Sequence, residues 1–159
     1  MEKSLQNGRQ LVVEPWLERV VDFSAQLEME TGGLRLLGYT GLLTDARGQF
    51  LANTAAPNFA RALPPAVLDC FREQRGAEAC LRELFTSLFK SLEAELKTAG
   101  FLGPVGVDAF VYRDAAGRCR LKPVVEINPR YTMGRLTLGL MQRVAPGAAR
   151  RGADSAARP

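Results

Sequence analysis

Histidine is absent from this 159-residue chain. With it go His-assisted serine or cysteine triads, His-ligated zinc and imidazole general bases, because no other side chain titrates near neutrality unperturbed. Cysteine is scarce: Cys70, Cys80 and Cys119 have neither a CxxC spacing nor an even count, which reads as reduced thiols in a cytosolic protein. No stretch approaches the run of about 18 apolar residues that spans a bilayer. The polar opening Met1-Glu2-Lys3-Ser4 also lacks a signal-peptide core. A cytoplasmic protein with no membrane partner is expected. No P-loop motif ending in Gly-Lys-Ser or Gly-Lys-Thr occurs either, so that route to a nucleotide site is closed.

The chain is also short of charge where it would matter. Its formal +4 suggests nucleic acid until the charge is located. Residues 143 to 159 hold four arginines against Asp154, which leaves 17 basic and 16 acidic residues before them, net +1. A near-neutral body argues against a nucleic-acid partner. The Arg/Ala-rich segment 145–159 lacks apolar periodicity and reads as a disordered tail, and residues 1–10 as a flexible start. Between them, 11–144 reads as one domain with one core.

Within that domain, Glu14-Pro15-Trp16-Leu17 breaks the first apolar run, since Pro15 cannot donate a ladder hydrogen bond. From Asp22 to Met29, Phe23, Ala25, Leu27 and Met29 alternate with polar residues, the pattern of a strand with one wet face. Gly32-Gly33 makes a turn before a β segment over 34–43, and Thr44 to Gly48 a hairpin turn before 49–52. After a proline-rich loop, Pro65 can open a short helix through Arg72. Leu81, Leu84, Phe85, Leu88, Leu92 and Leu96 then give an amphipathic helix over 77–99, closed by Gly100. Two more strands and a helix from about Arg135 to Val144 follow. The expected class is α+β, a mostly antiparallel sheet with helices packed on one side.

The chemistry concentrates in those last two strands. Gly106-Val107-Asp108-Ala109-Phe110 puts a carboxylate on the first, and Val124-Val125-Glu126-Ile127-Asn128-Pro129-Arg130 puts a carboxylate and an amide on one face of the second. Oxygen-only donors suit Mg²⁺ or Mn²⁺, with phosphate oxygens completing the shell, and the planar fork of Arg130 suits those phosphates. The plain alternative is a structural ion pair of Glu126 with Lys122 or Arg130. A tight turn at Asp114 to Gly117 would set Asp108 opposite Pro123 rather than Glu126, a gap that twist or a bulge can close.

These two segments resemble the C-terminal metal-binding hairpin of the ATP-grasp superfamily. The resemblance implies that Asp108 binds one Mg²⁺, Glu126 bridges two, Asn128 binds the second, and Arg130 serves catalysis at the phosphates or the reacting acyl group. The segment "VVEPWLERVVDFSAQ" is similar to the same family's hinge strand. By that likeness Glu14 and the backbone of Trp16 and Leu17 would meet adenine, and Asp22, ahead of Glu18, the ribose; Pro15 departs from the lysine many members carry. The likeness spans about 12–139. It implies ATP and Mg²⁺ as cofactors and a small carboxylate substrate joined to an amine or thiol through an acylphosphate. It also implies the C-terminal part of such a domain, its N-terminal lobe lacking or on a partner chain, with the exposed face inviting a homo-oligomer. The competing expectation is a non-catalytic α+β binding or subunit module.

Overall fold

The computed structural model describes residues 13–45, 47–65, 67, 68 and 77–144, with side chains for all of these except 77–84. The expected flexible start, the Arg/Ala-rich tail and most of the short helix after Pro65 lie outside the described residues.

Five strands form one sheet: β1 (Glu18–Glu30), β2 (Gly33–Thr44), β3 (Phe50–Thr54), β4 (Gly103–Arg113) and β5 (Cys119–Asn128). Their order is β3-β2-β1-β4-β5, and every pairing is antiparallel. The helices are α1 (Ala77–Thr98) and α2 (Met133–Val144), with a 3₁₀ turn at Phe59–Ala62. Residues 13–17 form no strand, in keeping with Pro15.

Alternation along β1 explains the layering. Phe23, Ala25, Leu27 and Met29 point to one side, where they meet Phe85, Leu92 and Leu96 of α1 with Val105, Val107, Ala109 and Val111 of β4. Phe23, Tyr39, Phe59 and Phe85 pack ring on ring there. The other face of β1 meets α2: Gln26 bonds Thr132 just before that helix, and Leu138 lies against Gly38 of β2.

Three expectations are corrected here. The helices do not share one side of the sheet; α1 and α2 cover opposite faces, because both faces of β1 are buried. The face expected to be wet is buried too, with Ser24 2% and Gln26 1% exposed. Cys119 is disulfide-bonded, not a reduced thiol. No helix among the described residues is long and apolar enough to cross a membrane.

The β4–β5 hairpin closes on Asp114, whose Oδ1 accepts from the backbone of Ala116 (2.9 Å) and Arg118 (3.0 Å), with the guanidiniums of Arg118 and Arg120 on Oδ2. Those donors hold its carboxyl down at about 2. Near the turn, pairing runs regularly to Phe110↔Lys122; beyond it the partners are Asp108↔Glu126, Val107↔Ile127 and Gly106↔Asn128. One residue of β4, Ala109, therefore faces three of β5, Pro123 to Val125. This bulge, beside a proline that cannot serve the ladder, supplies the register shift that Asp108 needs to meet Glu126.

Candidate functional site

Antiparallel partners project from the same face. Ser24↔Asp108 and Asp108↔Glu126 thus form one row across β1, β4 and β5. The next row is Gln26, Gly106 and Asn128; the one before is Asp22, Phe110 and Lys122. All lie on the α2 side of the sheet.

In the central row the exposure is graded. Ser24 is buried, Asp108 half-buried and Glu126 exposed. Burial raises the Asp108 carboxyl above its ordinary range; the Ser24 hydroxyl and the Arg130 guanidinium pull it down, and the charges of Glu126 and Asp22 push it up. A divalent cation would relieve that repulsion, since opposite charge favours the ionised form. Glu126 makes no ion pair with Lys122 or Arg130 among the described residues. Lys122 instead reaches Glu14 (2.5 Å).

Asn128 is 7% exposed, and its Oδ1 accepts from Nη2 of Arg130 (3.0 Å). The Arg130 backbone N–H also closes on the Asn128 carbonyl (2.8 Å), a tight turn that folds the arginine back over the end of β5. Asp108, Glu126, Asn128 and Arg130 are therefore gathered at one place. Among the described residues no group of three or more His, Cys, Asp or Glu side chains converges as a metal site; the cluster here is two carboxylates and an amide.

Glu14, Trp16 and Asp22 gather around the row of Phe110, which lies two residues, about 7 Å, along β4 from Asp108. Arg19 ties this end together. Its guanidinium lies 4.4 Å from the Phe110 ring centroid and 5.7 Å from that of Trp16, and Nη1 donates to Asp22 Oδ1 (3.0 Å). Asp22 is buried and also accepts from the Thr44 hydroxyl at Oδ2 (3.3 Å), so both of its carboxylate oxygens are engaged within the fold. Trp16 is 77% exposed, with Gly48 of the β2–β3 turn beside its ring; Leu17 is half-buried.

Sequence reasoning passed over Arg19, Ser24, Gln26 and Thr132. Ser24 and Gln26 carried one available signal, their phase with Asp22 in the β1 alternation. What hid them was the assumption that a polar face is a solvated face. The sequence matches no family model, and no curated protein matches it.

Proposed function

We propose that this chain carries the cation and nucleotide end of an ATP-grasp-type ligase site, in which a carboxylate is activated as an acylphosphate and then taken by an amine or thiol. The observation that carries the reading is the direct pairing of Asp108 with Glu126, the Asn128 amide two residues on. Hard oxygen donors in that arrangement fit Mg²⁺ or Mn²⁺ with phosphate oxygens filling the remaining positions. Asp108, Glu126 and Asn128 would hold the cation, whose chemistry is to offset charge on the phosphates. Arg130 would present its fork to the transferring phosphoryl or acyl group. Asn128 Oδ1 accepts one bond from Arg130 and keeps a second lone pair for a cation, and phosphate is a partner to which the guanidinium can turn.

Glu14, Trp16 and Leu17 would edge the base. Contact of Asp22 with the ribose would have to be shared with Arg19, which already holds that carboxylate. The chain's share of the chemistry is positioning and electrostatics. The Arg130–Asn128 bond also favours a second reading, a non-catalytic α+β module in which this bond is purely structural.

Titration calorimetry with Mg-ATP on the chain and on Glu126→Gln separates the two. Weak binding in the wild type, lost in the variant, and little or no turnover are expected, because exposed phosphates in water interact with a charge at 4 Å by only about 1 kcal/mol. Tight binding with hydrolysis that the variant loses would make this chain a complete catalyst. Identical heats in both would end the cation reading.

A further inference from the structure

A line of hydrogen bonds with fixed polarity runs from the start of α2 to Ser24, the residue paired with Asp108. The Arg135 backbone N–H donates to Thr132 Oγ1 (3.1 Å), capping the helix. Thr132 sends its own proton to Gln26 Oε1 (2.8 Å). The Gln26 amide is thereby oriented, oxygen toward α2, and its Nε2 donates to Ser24 Oγ (2.9 Å) and Thr40 Oγ1 (3.2 Å). Ser24 Oγ is then an acceptor from Gln26, and its single proton must point elsewhere. Asp108 is the residue directly opposite on β4, on the same face, and the nearby Ser24 hydroxyl favours its ionised form.

We propose that Gln26 and Ser24 are positioning residues for Asp108: the buried amide aims the serine proton at the carboxylate and holds it in one orientation toward the cation. This rests on the reading of Asp108 as a cation ligand.

Two features argue against a purely architectural role. Ser24, Gln26 and Thr40 are all buried, where polar groups are costly unless fully bonded, and apolar residues would build the sheet more cheaply. The fold also makes room for the amide: a Cβ at Gly134 would lie 2.4 Å from Gln26 Nε2 and 2.7 Å from Thr40 Oγ1. Partners of this kind, one bond behind a metal ligand, fix ligand orientation, and their removal typically weakens metal binding 10- to 100-fold.

The test uses Mn²⁺ as the probe, its free-ion spin-resonance signal followed in the presence of ATP, on variants whose unfolding transitions confirm that they fold. Ser24→Ala and Gln26→Met should each weaken Mn²⁺ uptake about tenfold, and Ser24→Thr, which keeps the hydroxyl, should restore most of it. Mn²⁺ uptake left intact by Ser24→Ala and Gln26→Met overturns the positioning role alone. No Mn²⁺ uptake by the wild type overturns the cation reading and with it the purpose assigned to Gln26 and Ser24.

A second arm needs no metal and no change in the buried line. In ¹H–¹⁵N spectra the Gln26 side-chain amide resonances should move in Asp108→Ala and stay in Glu126→Ala. Unmoved Gln26 resonances in Asp108→Ala overturn the proposal even where the buried variants fail to fold.

Discussion

The two faces of β1 are buried alike and built on opposite principles. Phe23, Ala25, Leu27 and Met29 face α1 and ask of their neighbours only volume. Asp22, Ser24, Gln26 and Glu28 face the other way, and each has named partners: Arg19 and Thr44, Gln26, Thr40 with Thr132, and Arg135. Apolar burial contributes roughly 1.5–3 kcal/mol for each large side chain and has no direction. A buried hydrogen bond contributes about 0.5–1.5 kcal/mol net, yet an orphaned partner costs about 1–3 kcal/mol. The first face therefore stabilises the sheet, and the second positions α2 and the loop that carries Arg130.

The largest effect expected is on the apolar face. Phe23→Ala removes a ring packed against Tyr39, Phe59 and Phe85 and should cost about 3–5 kcal/mol, read as a lower denaturation midpoint at unchanged slope. A loss equal to that of an exposed residue would break the distinction drawn between the faces.

Gly134→Ala probes the polar face next. The added methyl meets Gln26 and Thr40, both locked by hydrogen bonds, so it should destabilise by about 1–3 kcal/mol. It should also displace the Gln26 amide resonances. Instability without any change at Gln26 would mean that α2 shifts as a body and that the polar contacts do not set its place.

Asp108→Asn should move stability upward. The folded protein holds this carboxyl above its ordinary range, chiefly through burial, so the native state takes up a proton before the unfolded chain does. Stability linked to Asp108 consequently grows as pH falls through that raised value and is least at neutral pH and above. The amide variant should melt higher than the wild type at neutral pH, with the difference in melting narrowing on acidification. A lower melting temperature at neutral pH would mean that the carboxylate is held by bonds, not strained by burial.

Asp114 gives the smallest effect and the opposite sign. Its carboxyl is held down at about 2, against 3.8 ordinarily, so its stabilisation is complete above the ordinary value and fades as pH falls through about 2. Asp114→Ala should lower the unfolding midpoint at neutral pH and converge with the wild type in strong acid. Curves that stay parallel would assign the turn's stability to its backbone.

Much of the frame was legible because local periodicity is a physical cause. The three-and-four spacing from Leu81 to Leu96 produced α1 within a residue of its expected end, and Pro15 stopped β1 from beginning sooner. Asp108 and the Glu126/Asn128 pair could be marked by residue type and parity alone. Their meeting could not be settled that way, since regular pairing from the Asp114 turn leads elsewhere and the bulge opposite Ala109 decides it.

By itself the chain's order of residues determined the five strands, both helices, the lack of imidazole chemistry and the carboxylate–amide pattern, because each depends on neighbours within a few positions. Tertiary structure alone decided which polar residues are dry. Ser24 and Gln26 look like any solvated strand face until α2, arriving more than a hundred residues later through Thr132, covers them. Removing water from that face is what turns ordinary hydroxyls and an amide into a directed line ending at Ser24, beside Asp108, and no local pattern carries that information.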